Sequence, residues 1–363
     1  MDERREEVAA KIALIRNRLG ASGALRLRGS DWFAWITAGA CNRVCLVQET
    51  GIAEVLVTPT ASWILTDEID AQRLLDEELS GNFQIFQARW AAPEERDDFV
   101  RDVVGICQVW SDRPGKGEQP IPTDLAQHKR ILMPSEARRY QRVGQLAAEA
   151  VTEAMSAAQA EWTELDLAGA TAQALWQRGL QPAILLAAGA NRLSVYRNPL
   201  PTSAKLGRLA MLSVSAQGYG LHANLTRYMA FGRMREEDRI HHDQIRQIEA
   251  EALQCCVPGT RLDQIYQVLV GAYDRRGYAH AIEEHHQGGL TGYLPREIIA
   301  TPMTGHCLNK LEAVAWNPSL AGVKIEDTFL VHGNEVGIEN LTLSKDWPTV
   351  DVGGIPRPVV WER

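Results

Sequence analysis

The spacing of apolar and polar residues divides the chain into two regions with different predicted elements. Up to about residue 112, short runs typical of strands alternate with runs of helical period. The runs typical of strands cover residues 24–37, 43–49, 53–66 and 83–90, and the helical runs cover 69–79 and 95–108. A polar stretch containing Gly and Pro, residues 111–124, has no hydrophobic period and is the predicted linker.

Long helices separated by strands are predicted from about residue 134 onward. Helices are expected over 134–159, 163–180, 237–256 and 261–278, and strands over 209–217 and 225–232. The second helix of each pair ends at a glycine, Gly179 or Gly277, and apolar positions such as Leu167 and Ile265 correspond at the same offset. This repetition indicates an internal duplication, which would place a ligand in the crevice between the two halves.

The predicted fold class is therefore α+β. A small α/β N-terminal domain with its linker is expected over residues 1–124, and a duplicated domain over residues 125–363. A chain of 363 residues is long enough for two cores of this kind.

Composition narrows the possible partners and the compartment. The net charge of −8 and the pI of about 5.7 argue against nucleic acid and against an anionic membrane surface. No run approaches the roughly 18 apolar residues of a membrane span, and the N-terminal helix lacks the apolar region of a signal peptide. The six cysteines show no CxxC spacing, so we expect reduced thiols in a cytoplasmic protein.

Three segments of the second region carry a family resemblance. In chain order they are "LAMLSVSAQGYGLHANLTRYMAFG" (209–232), "HHQGGLTGY" (285–293) and "AWNPSLAGVKIEDTFLV" (315–331). With the helix pattern around them, the chain resembles the prolidase, aminopeptidase P and creatinase group, whose catalytic domain has the pita-bread fold. Metallopeptidases of that group bind two divalent ions through two Asp, one His and two Glu side chains, so the resemblance implies five corresponding positions.

This chain departs from the group's ligand set at three of those five positions. They are occupied, in order, by Ser213, Asn224, His286, Asn317 and Glu326. Two dications in a partly buried pocket need anionic oxygen ligands, and one carboxylate with two amides and a hydroxyl does not supply them. We therefore expect no metal and no other cofactor here.

The resemblance also includes a metal-free branch, represented by creatinase and the similar ectoine hydrolase. We therefore expect a metal-independent hydrolase that cleaves a C–N bond of a small substrate carrying a carboxylate. His286 would do the acid/base work, because an unperturbed histidine titrates near neutrality. Glu326 would orient His286 or accept a proton; as a buried carboxylate it needs a partner, for which His286 or Arg227 would serve. Ser213, Asn224 and Asn317 would give neutral hydrogen bonds.

Further residues are candidates for substrate binding. Arg296 lies in "GYLPRE", which is similar to the segment by which creatinase holds its substrate's carboxylate, and an arginine fork suits that task. Arg227 would stabilise negative charge. Tyr293 stands where the metallopeptidases have a second histidine, and "VYRNPLPT" offers Tyr196, Arg197 and Asn198 where creatinase has its acid/base histidine. Arg43, in "DWFAWITAGACNRV", would complete the pocket of a partner subunit in a homodimer.

Structural readings of the same residues remain open. His286 could be a hydrogen-bonded core histidine, and Arg227 could anchor its hairpin. Asn224 and Asn317 could bond strand backbones. His285 would face away from His286 if both lie on a strand, and His242 would lie on an exposed helix face.

Two other functions compete with the metal-free hydrolase. One is a non-catalytic pita-bread module that binds peptides or proteins. The other is an Xaa-Pro peptidase with atypical ligands, which would require stoichiometric metal in the purified protein.

Overall fold

The chain divides into two units, Met1–Glu136 and Ala137–Arg363. The structure is a computed structural model that describes residues 2–333 and 336–363. The division lies later in the chain than the predicted boundary after residue 124.

A six-stranded mixed sheet forms the centre of the first unit, with strand order β4-β3-β2-β1-β5-β6. Its strands are β1 (Gly23–Gly29), β2 (Thr50–Val57), β3 (Ser62–Asp67), β4 (Gln84–Ala88), β5 (Gln108–Ser111) and β6 (Gln119–Pro120). Its helices are α1 (Asp2–Leu19), α2 (Ser30–Ile36), α3 (Ala71–Arg73) with a following π turn (Leu74–Glu78), α4 (Glu95–Val104) and α5 (Thr123–Arg130). Val100 and Val104 of α4 pack on Ala24, Leu56 and Leu65 of the sheet.

Three predictions for this unit are wrong in detail. The run 24–37 is a strand only to Gly29, and Ser30–Ile36 is a helix whose apolar side chains are buried on all sides, so periodicity alone did not distinguish the two. Residues 43–49 contain no strand, and Val47 is 90% exposed. The predicted linker contributes β6, which pairs in parallel with β5, and it reaches the start of α5.

Five α-helices, one 3₁₀ helix (Ala279–Glu283) and thirteen strands are described in the rest of the chain. The helices are α6 (Pro134–Ala157), α7 (Glu164–Trp176), α8 (Ala190–Leu193), α9 (Glu236–Gln254) and α10 (Leu262–Arg275). The strands are β7 (Gln181–Gly189), β8 (Leu209–Gly218), β9 (Leu221–Ala230), β10 (Gly288–Thr291), β11 (Ile298–Ile299), β12 (Ala313–Trp316), β13 (Ser319–Leu320), β14 (Val323–Lys324), β15 (Asp327–Val331), β16 (Ile338–Asn340), β17 (Thr349–Val352), β18 (Ile355–Pro358) and β19 (Trp361–Glu362).

The predicted long helices and their ends agree with this structure. Thr163 caps α7 with a capping box to Asp166. Gly179 and Gly277 follow α7 and α10 with φ of +71° and +79°, a backbone conformation that favours glycine at a helix end. The duplication itself remains a prediction.

A backbone bridge next to the site joins two sheets of the second unit. One sheet has the order β19-β9-β8-β7, and the other has the order β11-β10-β12-β15-β16. Thr226 of β9 pairs with Glu326, just before β15, and the Thr226 amide donates to the Glu326 carbonyl at 2.9 Å. Helices α9 and α10 bury Ile248, Leu269 and other apolar side chains against the second sheet. Within the described residues, no helix combines the length and apolar character needed to cross a membrane.

Candidate functional site

A cavity of about 270 Å³ in the second unit brings six of the predicted site residues together. These are Ser213, Asn224, His286, Arg296, Asn317 and Glu326. Further lining side chains are Ile184, Leu186, Asn198, Val214, Ser215, His285, Pro295 and Lys324. The strand residues of the lining come from β7, β8 and β9 of one sheet and from β14, and the other lining residues lie in the segments between strands.

The β8–β9 hairpin positions the residues at one wall. Its two-residue turn, Tyr219-Gly220, has positive φ at both positions, +52° and +78°, which fits the right-handed twist of a tight hairpin. The register places Ser213 opposite Thr226, and the Thr226 hydroxyl donates to Ser213 Oγ at 2.8 Å. Asn224 lies two residues before Thr226 and donates from Nδ2 to Thr291 Oγ1 at 2.9 Å.

His285 and His286 lie in an irregular segment before β10, not on a strand, so the expectation that they face opposite sides is wrong. Both line the cavity, with ring centroids 4.3 Å apart. His286 is exposed to the cavity and is not a core histidine. Partial burial, with the charges of Arg296 and a neighbouring His285, lowers the pKa of His286 below its usual value. Its ring is therefore neutral at pH 7.

The following Gly288-Gly289 pair fixes this segment against its neighbours. A Cβ at Gly288 would lie 2.1 Å from the Ala315 carbonyl oxygen of β12, and a Cβ at Gly289 would lie 2.2 Å from the Ile298 carbonyl oxygen of β11. Both glycines also have positive φ. The glycines therefore serve close strand packing next to the histidines.

Glu326 is the only acidic side chain among those that line the cavity. Arg296 Nη2 contacts its Oε1, and Lys324 Nζ lies 3.4 Å from its Oε2. Burial would raise the pKa of this carboxyl, but the Lys324 and Arg296 charges outweigh burial and lower the pKa to about 2. The predicted partners, His286 and Arg227, are replaced by Arg296 and Lys324. An ionised carboxylate between two cations is a poor proton acceptor, so Glu326 is suited to orienting these two cations.

Asn317 lines the cavity and has an unsatisfied polar atom that is buried. Its backbone amide donates to the Gln287 carbonyl at 3.0 Å, but the buried Oδ1 has no hydrogen-bond partner in the structure. A buried acceptor without a donor is costly, so a ligand or water is expected there.

The remaining predicted residues do not line the cavity. Arg227 is buried in an ion pair with Asp327 at 2.8 Å, and Tyr293 is 1% exposed. Tyr196 is half exposed and its ring stacks under Arg192, while Arg197 forms an ion pair with Glu284, next to His285. Arg43 belongs to the first unit, in the segment without regular structure after α2.

Lys324 lines the cavity but is not among the residues predicted from the sequence, although it belongs to the "KIED" motif. Residues two apart in an extended segment face the same side, so the position of Glu326 already implied that Lys324 shares its cavity. This alternation would have identified it.

The residues at the five implied ligand positions fit a pair of divalent ions poorly. They offer one carboxylate, and two side-chain cations already neutralise it. The Lys324 ammonium also lies 3.3 Å from Ser213 Oγ, at one of those positions. Within the described parts of the chain, no three His, Cys, Asp or Glu side chains come together as a metal site requires.

Comparison with known proteins identifies the family. Residues 138–333, more than half of the chain, match the model of metallopeptidase family M24. No curated protein sequence matches the chain significantly.

Solved structures share the fold at low sequence identity. The prolidase from Pyrococcus horikoshii OT3 is 17% identical with a TM-score of 0.76, covering 94% of this chain and 99% of its own. The X-Pro aminopeptidase from Thermotoga maritima MSB8 is 15% identical with a TM-score of 0.78, covering 98% and 99%. The N-terminal domain of FACT complex subunit SPT16 from chickpea (Cicer arietinum) is 10% identical with a TM-score of 0.69, covering 94% and 95%. With a family match over most of the second unit and a mixed α/β fold shared with these structures, the chain belongs to metallopeptidase family M24.

Proposed function

We propose that this protein is a metal-independent, creatinase-like hydrolase that cleaves a C–N bond of a small substrate carrying a carboxylate. The observation that supports this proposal is the charge of the cavity. Two fixed cations, Lys324 and Arg296, face one carboxylate, Glu326. With both histidines neutral, the cavity has an excess positive charge that an anionic substrate would complement.

The chain's own side chains offer a route for hydrolysis without a cofactor. Neutral His286 can take a proton from a water molecule that attacks the carbon of the C–N bond. The resulting imidazolium then gives that proton to the leaving nitrogen. Because the lowered pKa keeps His286 unprotonated, kcat/KM should stay level as the pH falls from 7 toward 6.

Assays on a panel of N-carbamimidoyl, N-acyl and cyclic amidine acids test this function, with amine release measured in the presence and absence of EDTA. We expect turnover that EDTA leaves unchanged. His286→Asn should lower it by about 100-fold or more, as for loss of a general base. His280→Asn, at a side chain that is 76% exposed, is the matched control and should keep full activity. Loss of turnover on chelation, with recovery on adding a divalent ion, would refute metal independence and favour an Xaa-Pro peptidase.

A non-catalytic binding module is the second candidate. It is favoured by the shared fold with the N-terminal domain of FACT complex subunit SPT16. Such a module should keep its partner when His286 is replaced by Ala, whereas the enzyme should lose turnover.

The cytoplasmic location and the homodimer completed by Arg43 also remain proposals, and light scattering of the purified protein tests the dimer.

A further inference from the structure

Lys324 places a side-chain ammonium group inside the cavity. Its side chain is 9% exposed, and its Nζ lies 3.4 Å from Glu326 Oε2 and 3.3 Å from Ser213 Oγ. A lysine ammonium has three N–H donors, and these two oxygens account for two of them. Within the described residues no third partner of Nζ is found, so one donor is available to a ligand.

Asn317 supplies the opposite kind of group in the same cavity. Its Oδ1 is buried and accepts no hydrogen bond from any described residue. Lys324 therefore offers a charged donor to this cavity, and Asn317, which lines the same cavity, has an unsatisfied acceptor. The C=O and N–H of a secondary amide need this pair of partners.

Arg296 remains available for a carboxylate. Its Nη1 donates to the Pro295 carbonyl and its Nη2 contacts Glu326, but its Nε has no partner in the structure. Each Nη nitrogen carries a second proton, so Nε and an Nη can together hold both oxygens of one carboxylate.

We propose that Lys324 and Asn317 bind the amide to be cleaved, with the ammonium on its oxygen and Asn317 Oδ1 on its N–H, while Arg296 binds the carboxylate. The substrate class is then an N-acylated small acid. This inference rests on the proposed function and names the substrate class of the same site.

The assignment gives Lys324 a defined part in the reaction. The oxygen of water forms a bond to the amide carbon, and the water proton moves to His286. The carbonyl oxygen becomes an oxyanion, which the Lys324 ammonium stabilises. As the C=O bond re-forms, the C–N bond breaks, and its electron pair takes the proton from His286. The products are a carboxylic acid and an amino acid.

Three probes of matched length separate the proposed contacts. N-acetylglycine carries the carboxylate, the carbonyl and the N–H; levulinate lacks the N–H; pentanoate lacks both the N–H and the carbonyl. Calorimetric titration of the wild-type protein should give affinities that fall in this order. Failure of N-acetylglycine to bind more tightly than pentanoate would overturn the proposal.

Substitutions then assign each contact. Lys324→Met should weaken the binding of N-acetylglycine and levulinate by about ten-fold or more beyond its effect on pentanoate, because a charge-assisted hydrogen bond to the carbonyl is lost in addition to one positive charge of the cavity. Asn317→Leu should weaken the binding of N-acetylglycine alone, and Arg296→Met should weaken the binding of all three probes. Lys310→Met removes an exposed lysine and should change none of the affinities.

Equal weakening of the binding of all three probes by Lys324→Met would assign Lys324 to the carboxylate and contradict the inference. Circular dichroism and thermal melting verify that the variants fold. If Lys324→Met does not fold, Lys324→Gln takes its place. If N-acyl acids bind with the expected pattern but none is turned over, the hydrolase proposal fails while the binding assignment stands.

Discussion

Arg227 lies beside the cavity but its guanidinium group belongs to a buried ion network. Its Nη2 donates to Asp327 Oδ1 at 2.8 Å and to the Thr342 carbonyl at 2.7 Å. Asp327 also pairs with Arg357 at 2.8 Å, and Arg357 pairs with Glu249 at 2.6 Å. Two arginines and two carboxylates therefore alternate in the interior, which agrees with the alternative that Arg227 anchors its hairpin.

Replacing Arg227 with Met should destabilise the protein. The change leaves Asp327 with one cation fewer in a buried site, and breaking a buried pair costs about 3–5 kcal/mol. The free energy of unfolding in urea measures this. Arg101→Met is the control, because Arg101 pairs with Asp98 at 2.8 Å but is 70% exposed, and its loss should cost less than about 1 kcal/mol. A variant that stays as stable as the wild type but loses N-acetylglycine affinity would instead support substrate binding by Arg227.

Sequence motifs located the cavity residues better than their partners. Ser213, Asn224, Asn317 and Glu326 were assigned from the motif positions, and they line one cavity. The pairing of Glu326 with Lys324 and Arg296 depends on how three segments of the chain meet, which a motif does not specify. The same is true of Arg227, whose motif gives no information about Asp327 or Thr342.

At the scale of elements, strand β10 packs unusually closely against its two neighbours. The close approach is possible because Gly288 and Gly289 have no Cβ where the Ala315 and Ile298 carbonyl oxygens lie. This packing sets the position of the preceding histidines.

Gly288→Ala should be much more destabilising than an alanine at another glycine with positive φ. The new Cβ would lie 2.1 Å from a backbone oxygen, so the strands must move apart. Gly179→Ala provides the control, because Gly179 also has a positive φ but nothing lies within 4 Å of the added atom, and its cost should be about 1 kcal/mol. Thermal melting of both variants tests this, and equal shifts in Tm would contradict it.

The long helices were predictable and the short elements were not. Helices α6, α7, α9 and α10 have long amphipathic periods with clear ends. The run 24–37 mixes apolar residues with Arg26, Arg28 and Asp31, and no change of period marks its division into β1 and α2. The short edge strand β6 depends on pairing with β5, since its own residues carry no hydrophobic pattern.

A buried histidine makes the stability of the whole protein depend on pH. His242 of α9 was expected on the surface, but it is 4% exposed and its ring lies 4.6 Å from that of Tyr228. Burial, with the nearby charge of Arg246, lowers the pKa of His242 to about 3. The unfolded chain binds a proton at this histidine below about pH 6.5 and the folded chain does not, so stability falls as the pH falls through that range.

The wild-type protein should therefore lose about 2 kcal/mol of stability at this residue between pH 6.5 and pH 5. His242→Phe, which keeps a ring against Tyr228, should reduce the dependence of Tm on pH in this range. His280→Phe changes an exposed histidine and should keep the wild-type dependence. Equal dependence of Tm on pH in His242→Phe and the wild type would contradict this prediction. It would show that His242 binds a proton as readily in the folded chain as in the unfolded chain.

Lys324 also determines what acidic side chains at the neighbouring positions could do in this cavity. A divalent ion bound at residue 213 would lie within a few Å of the Lys324 ammonium group. Two positive charges at that separation repel strongly. Acidic residues at positions 213, 224 and 317 would therefore not be enough to create a metal site while Lys324 remains. A metal site at these positions would require the replacement of Lys324 as well.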